Sequence, residues 1–237
     1  MTYSQLVESA PPGAASFAGS DLRRLPPRVL EELLAAAPAD DRQLFEKADP
    51  GAVRRLIRAG FWTLIYHLQP ERWDELSRAE PVHPGVIAAL PADGARVLEV
   101  AAGTGRLTAH LAARAKSLIA VEPVAALREI LQRRLPGIAV LDGVAADLPV
   151  AKGWADLTVS CASLGPDSAA VREAERCTRR GGTHALISPR EPEWFEKRGY
   201  RYLRFDPAEV RIPAHDPELE AFFGPLNPPH ELLLKAL

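Results

Sequence analysis

Apolar residues change their spacing along the chain, and the change divides it. Between Asp21 and Pro70 they recur three and four residues apart: Val29, Leu30, Leu33 and Leu34 in one run, then Val53, Leu56, Ile57, Phe61, Leu64, Ile65 and Leu68 in a longer one. This is the period of helices that bury one face. Pro26-Pro27, Asp49-Pro50-Gly51 and Pro70 punctuate it, so helices are predicted over 28–37, 41–48 and from 53 to near Gln69. From Arg96 onward, short continuous apolar runs alternate with amphipathic ones. Strands are predicted at 96–100, 118–121, 138–142, 155–160 and 183–188, with helices at 107–115, 125–135 and 168–178 and a turn at Arg180-Gly181-Gly182. Continuous apolar strands alternating with helices mean an α/β fold, a parallel sheet covered on both faces.

The flanks read differently. Residues 1–20 are rich in Ala, Ser, Gly and Pro and are expected to be a flexible leader. Residues 21–90 form a helical extension and 91–237 the sheet domain. Within the extension, ERWDELSRA suits a helix, EPVHPG breaks it and VIAAL is a short helix. Only PADGA separates that short helix from the strand at Arg96, so it runs back antiparallel and its start, His83-Pro84, lies toward the strand's carboxyl edge. Ligands of open α/β sheets bind at this edge. Trp73, Glu80 and His83 are therefore candidate site residues; the alternatives are packing for Trp73 and a turn role for His83. Toward the C-terminus a helix is expected near 194–198, a strand in RGYRYLRF, and a strand or short helix in HELLLKAL.

The most informative stretch is VLEVAAGTGRLTAHL, Val97 to Leu111. A strand runs into a glycine turn that opens a helix, and this is an arrangement that receives a nucleotide. Gly103 and Gly105 let the backbone turn tightly and a ligand approach the main chain. A second acid, Glu122, ends the next apolar run SLIAVE, where a carboxylate can accept two hydrogen bonds from a ribose diol. The turn alone also accommodates the G-x-G-x-x-G/A pattern of nicotinamide enzymes, with Thr108 in the last place.

Glu99 inside the strand end, Ala101 as the first turn residue and Glu122 together resemble the class I S-adenosylmethionine (SAM) dependent methyltransferases. Three later stretches add to the resemblance. LDGVAADLPV is similar to the family's adenine turn, WADLTVSCASLGP to its fourth motif, and REAERCTRRGGTHALISP to the helix, Gly-Gly turn and fifth strand that follow. The resemblance covers Trp73 to Pro189 and is nearest the type 11, ubiquinone/menaquinone-biosynthesis-like group of small-molecule enzymes. It implies a Rossmann-like sheet of order 3-2-1-4-5-7-6 with the last strand antiparallel. SAM is the implied cofactor, bound by Trp73, Glu99, Ala101, Gly103, Gly105, Glu122, Pro123, Gly143, Val144, Ala145 and Ser160. In that scheme Glu99 organises the glycine loop and the methionine end, and Glu122 holds the ribose. Val144 stands where the family's Asp often sits, leaving the Ala145 amide to reach the ring, or Asp142 or Asp147 through a shifted turn.

Other chemistry is thinly represented. Methyl transfer from a sulfonium asks the protein to align the nucleophile and exclude water. A base is needed only for a protonated acceptor, and His83 is the catalytic candidate. Ser160, Cys161 and Ser163 after the fourth strand, and Arg190 and Trp194 after the fifth, fall at the carboxyl edge. His184 and His110 fall elsewhere and read as structural. The fourth motif lacks the Asn/Asp-Pro-Pro-aromatic signature of nucleic-acid amino methylation, and a net charge of -2 leaves no nucleic-acid footprint. Two cysteines make neither a disulfide framework nor a metal cluster, which points to a reducing cytoplasm. No apolar run approaches the roughly 20 residues of a membrane span. The expected function is methyl transfer from SAM to a small-molecule acceptor, with Phe61, Trp62, Tyr66 and Trp73 of the extension helping to form a lid. The rival expectations are an NAD-dependent oxidoreductase and a SAM-binding protein without turnover.

Overall fold

The strands are β1 (Arg96–Val100), β2 (Ser117–Val121), β3 (Ala139–Leu141), β4 (Ala155–Cys161), β5 (Thr178–Ile187), β6 (Arg201–Arg204) and β7 (Glu231–Ala236) in a computed structural model that describes residues 1–212 and 216–237. They form one sheet in the order β3-β2-β1-β4-β5-β7-β6. The five strands from β3 to β5 run parallel, and β7 is antiparallel to both β5 and β6. This is the order and the one reversed strand that the resemblance implied. Two compact units result, Met1–Leu76 with Ala214–Leu226, and Ser77–Pro213 with Asn227–Leu237.

In the sheet unit, alternate residues of each strand face opposite layers. Val97 joins Leu107, Leu111, Leu157, Val159 and Ile187 in one buried cluster; Leu98 and Val100 join Val121, Leu148, Ala155 and Cys177 in another. Glu99 is two residues beyond Val97 and so shares its face, an acid in a row of core positions. It occurs at the carboxyl end of β1, next to the middle of the sheet, where the adjoining strands end at Val121 and Cys161.

Three elements depart from the sequence-based expectation. The long helix predicted from 53 to 69 is two helices, Pro50–Ala59 and Phe61–Leu68, parted at Gly60. A Cβ at Gly60 would stand 2.7 Å from Leu33 Cδ2 and 3.1 Å from the Leu56 carbonyl oxygen, so the chain comes closer there than a side chain permits. The Gly181-Gly182 turn lies inside β5, which begins at Thr178; the register against β4 shifts between Ala155 and Leu157, and Gly181 takes φ +73°. Residues 1–20, read as a leader, contain the helix Tyr3–Glu8 and a 3-10 turn at Pro12–Ser16, with Ala14 and Phe17 buried. Tyr3 donates to Asp41, which also takes a fork from Arg55, and the Arg58 guanidinium bonds the Val7 carbonyl oxygen at 2.7 Å. These partners lie tens of residues away, where local composition carries no signal of them.

The helical unit contains a run of touching rings. Phe61 packs edge-on to Phe17, Trp62 and Phe223, and Trp62 stacks on Phe223 with a centroid distance of 5.8 Å. Phe223 ends the helix Pro217–Phe223, an element without strong periodicity in the sequence.

Candidate active site

β1 delivers the chain into a turn that is set by backbone geometry. Ala101, Gly103 and Gly105 have φ of +57°, +58° and +96°. A Cβ at Gly105 would lie 2.5 Å from Leu131 Cδ1, so glycine is required on two counts, dihedral and space. Thr104 is buried between them, its hydroxyl 3.1 Å from that of Ser77. The turn then enters the short helix Thr108–Ala112.

Two acids meet this turn in different ways. Glu122, at the end of β2, accepts the Gly103 amide hydrogen on Oε2 at 2.9 Å and the Val124 amide hydrogen on Oε1 at 3.0 Å. Burial raises its carboxyl above the ordinary range, and the two amides pull it back. Glu99 is only 1% exposed, and its Oε2 has no hydrogen-bond partner among the described residues. Burial, with the nearby Glu122 charge adding to it, pushes Glu99 up to about 8 against the pull of Thr108 and Arg106. A buried acceptor without a hydrogen bond of ordinary geometry is costly, and a ligand donor there would relieve it.

Arg106 lies next along the turn. Its Nη1 donates to the Glu80 carbonyl oxygen at 3.1 Å and to Glu80 Oε2 at 3.3 Å, and its Nη2 is 3.9 Å from Cys161 Sγ at the end of β4. Glu80 Oε1 in turn accepts the Asn227 amide hydrogen at 2.7 Å. Burial raises both the Glu80 carboxyl and the Cys161 thiol, with Arg106 opposing each shift. A thiol raised by burial is a poor nucleophile, in keeping with Cys161 as a small packed residue.

Residues 97–182 match the family model for a methyltransferase domain. An uncharacterized methyltransferase of Mycobacterium tuberculosis is 34% identical over 114 residues, 46% of this chain and 47% of that protein. One from Oceanobacillus iheyensis is 46% identical over 54 residues, 23% of this chain and 25% of the relative. The chain thus spans about half the length, or less, of the curated relatives it matches. Among solved structures, a chain of the complex between the Haloferax volcanii Trm112 methyltransferase activator and a methyltransferase superposes with a TM-score of 0.51 at 15% identity. The superposition covers 70% of this chain and 92% of that one. Residues 97–182 are thus similar to a methyltransferase domain, and the sheet has the fold of that solved methyltransferase chain.

Within the sheet unit the predicted residues separate into three groups. Glu99, Ala101, Gly103, Gly105 and Glu122 converge at the ends of β1 and β2, linked by the Glu122–Gly103 bond; Pro123 follows Glu122 and is exposed. Ser160, 2% exposed, is paired in register with Val100 and Leu186 at the ends of their strands. Gly143, Val144 and Ala145 follow β3. A Cβ at Gly143 would be 2.6 Å from Pro149 Cδ and 2.9 Å from Val121 Cγ1, while Val144 is half exposed and bridges to Asp147 in a tight turn. Asp142 is held by Arg128 at 2.9 Å.

Two further predicted residues have partners of their own. Trp73 belongs to the helical unit, edge-on to Trp62 and Tyr66 with centroids 5.9 and 5.0 Å away. His83 is buried, and its Nδ1 accepts the Gly85 amide hydrogen at 2.9 Å, capping the helix Pro84–Ala89. Its Nε2 is 3.1 Å from the Asp206 carbonyl oxygen and 3.4 Å from a Glu209 carboxylate oxygen. Both ring nitrogens are engaged, so no lone pair is open to take a proton from an acceptor. His83 thus caps a helix, and its role as a base is not what these contacts describe. The pairing of Arg106 with Glu80 escaped sequence reasoning, because 26 residues separate the partners.

Proposed function

We propose that the protein transfers a methyl group from SAM to a small-molecule acceptor. The observation that carries this reading is the pairing of the two acids around the glycine turn: Glu122 satisfied by the loop's own amides, Glu99 buried with one oxygen unfilled. The match of residues 97–182 to the methyltransferase domain supports it. The residues suit the cofactor. Glu99 offers an open carboxyl oxygen beside the turn, the positive-φ turn exposes main chain to the ligand, and each Glu122 oxygen keeps a lone pair for a ribose hydroxyl. When bound, SAM supplies an electrophilic methyl on a sulfonium sulfur.

The chain's own contribution is alignment and exclusion of water. Leu107 and Leu111 anchor the helix behind the turn in the core, and Arg106 ties the turn to Glu80, so the loop is held before any ligand arrives. In this reading Gly143, Val144 and Ala145 line the adenine side, Pro123 flanks the ribose acid, and Ser160 closes the floor at the end of β4.

Titration calorimetry with SAM and with S-adenosylhomocysteine tests the reading. Saturable binding of both is expected, and no heat at millimolar ligand would end it. Replacing Glu122 by Ala strands the Gly103 and Val124 amides and removes the diol acceptor; affinity for both ligands should fall by about 1–3 kcal/mol. Unchanged affinity would displace Glu122 from the ribose. The engagement of both His83 nitrogens favours a second reading, a SAM-binding protein without turnover. Tight binding with no transfer to a broad panel of nitrogen, oxygen and carbon acceptors would establish that one.

A further inference from the structure

The loops that follow β4 and β5 hold a group the cofactor reading leaves unused. Arg190 is exposed, and its guanidinium has no hydrogen bond or ion pair among the described residues. It lies flat against the β4 loop: a Cβ at Gly165 would be 3.0 Å from both Nε and Nη2 and 3.3 Å from Cζ. The backbones interlock as well, with the Arg190 amide donating to the Leu164 carbonyl oxygen at 3.0 Å and the Ala162 amide to that of Ile187 at 2.8 Å. Inside the same β4 loop, Ser163 Oγ is buried without a hydrogen-bond partner. Non-glycine residues in left-handed backbone recur across both loops: Ala162 at φ +52°, Ser188 at +41° and Glu191 at +56°. Such strain is retained where surrounding structure enforces it, often at ligand sites.

From this arrangement we infer that the β4 and β5 loops form the seat for an anionic group of the methyl acceptor, and that this group is a carboxylate. The inference rests on the methyltransferase reading and deepens it. A guanidinium presents two parallel N–H donors that match a carboxylate, and the unfilled serine hydroxyl is a further donor. The neighbouring charge disfavours a dianion, because the acids Glu191 and Glu193 follow Arg190 closely in the chain. Asp167 does not neutralise it, being used to cap the helix Ser168–Cys177 through the Ala169 and Ala170 amides. The placement also suits an acceptor. β5 is two strands from β1 in the sheet order, ~10 Å at the ordinary strand spacing, so an acid anchored at Arg190 can extend its other end toward the turn after β1.

Fluorine NMR on the full-length chain saturated with S-adenosylhomocysteine provides the test, with 4-fluorobenzoate as probe and 4-fluorobenzamide as its neutral match. The benzoate should broaden saturably and the benzamide should not. Arg190→Gln should weaken the benzoate at least tenfold and Arg190→Lys by less, because the lysine keeps the charge and loses the fork; Ser163→Ala should weaken it about threefold. Calorimetry on the same variants should give unchanged S-adenosylhomocysteine affinity. Equal binding of acid and amide, no binding of the acid, or an acid indifferent to Arg190→Gln overturns the proposal. Inorganic phosphate displacing the benzoate at equal concentration would replace carboxylate by phosphate and overturn the assignment of class. Failure of the wild-type chain to bind S-adenosylhomocysteine would instead remove the methyltransferase reading beneath it.

Discussion

The loop after β1 and the loop after β3 serve the same proposed ligand and are built in opposite ways. The first is fixed from within. Glu99 and Thr104 are buried, Ala101, Gly103 and Gly105 take left-handed dihedrals, and Glu122 reaches across from β2 to bond Gly103. The second is fixed at its ends, Gly143 against Pro149 and Val121 and the Leu148 amide on Glu173, with a tight turn between them. Val144 is half exposed, and the Asp142 side chain is 72% exposed despite its arginine partner. The contrast separates two kinds of binding loop: one in which ligand contacts and core packing are the same atoms, and one in which contact residues can change while the packing stays.

Gly105 offers the harshest way to break that contrast. Gly105→Val would force a branched side chain into φ +96° and against Leu131, and strain and overpacking together should cost at least about 2 kcal/mol of stability. Urea unfolding measures this, and a loss below 0.5 kcal/mol would show that the first loop is as adaptable as the second.

Glu99 sharpens the comparison by opposing function to stability. Its carboxyl rises from an unfolded value of 4.5 to about 8 on folding. Between those values the folded chain binds the extra proton, so stability is greatest below pH 4.5 and falls as pH rises toward 8. Glu99→Gln removes that loss. The variant should be more stable than the parent at pH 8, by on the order of a few kcal/mol, with the advantage vanishing at pH 4. Its affinity for SAM should drop at least tenfold above pH 8, where the parent carboxylate is ionised and the variant's neutral amide faces the cation. Parallel unfolding curves at both pH values, with calorimetry, check the pair of effects. Equal stability at pH 8 would mean that Glu99 ionises freely.

The smallest effect belongs to the open loop. Val144→Asp restores the side chain that similar methyltransferases often carry there, at a half-exposed position. Stability should move by no more than about 0.5 kcal/mol, while SAM affinity rises about threefold through one added hydrogen bond to the adenine amino group. A large loss of stability would erase the distinction between the two loops.

The glycine turn and its two acids were legible in the sequence because their causes are local. Positive φ favours glycine at 103 and 105, and an acid within an apolar strand stands out at Glu99. The adenine loop was legible only in outline, since an exposed Val144 is under weak constraint. His83 shows where such reading fails: a histidine at the correct edge looks the same in sequence whether its ring faces a ligand or caps a helix. Its partners Asp206 and Glu209 are more than a hundred residues away.

The alternation of strands and helices from Arg96 and the identity of the turn were determined by sequence alone, since periodicity and backbone dihedrals are properties of neighbouring residues. The grip of Arg106 on Glu80, the unfilled oxygen of Glu99 and the bare guanidinium of Arg190 were decided only by tertiary structure. Whether a polar atom finds a partner depends on which distant segment packs against it, and a one-dimensional pattern does not carry that information.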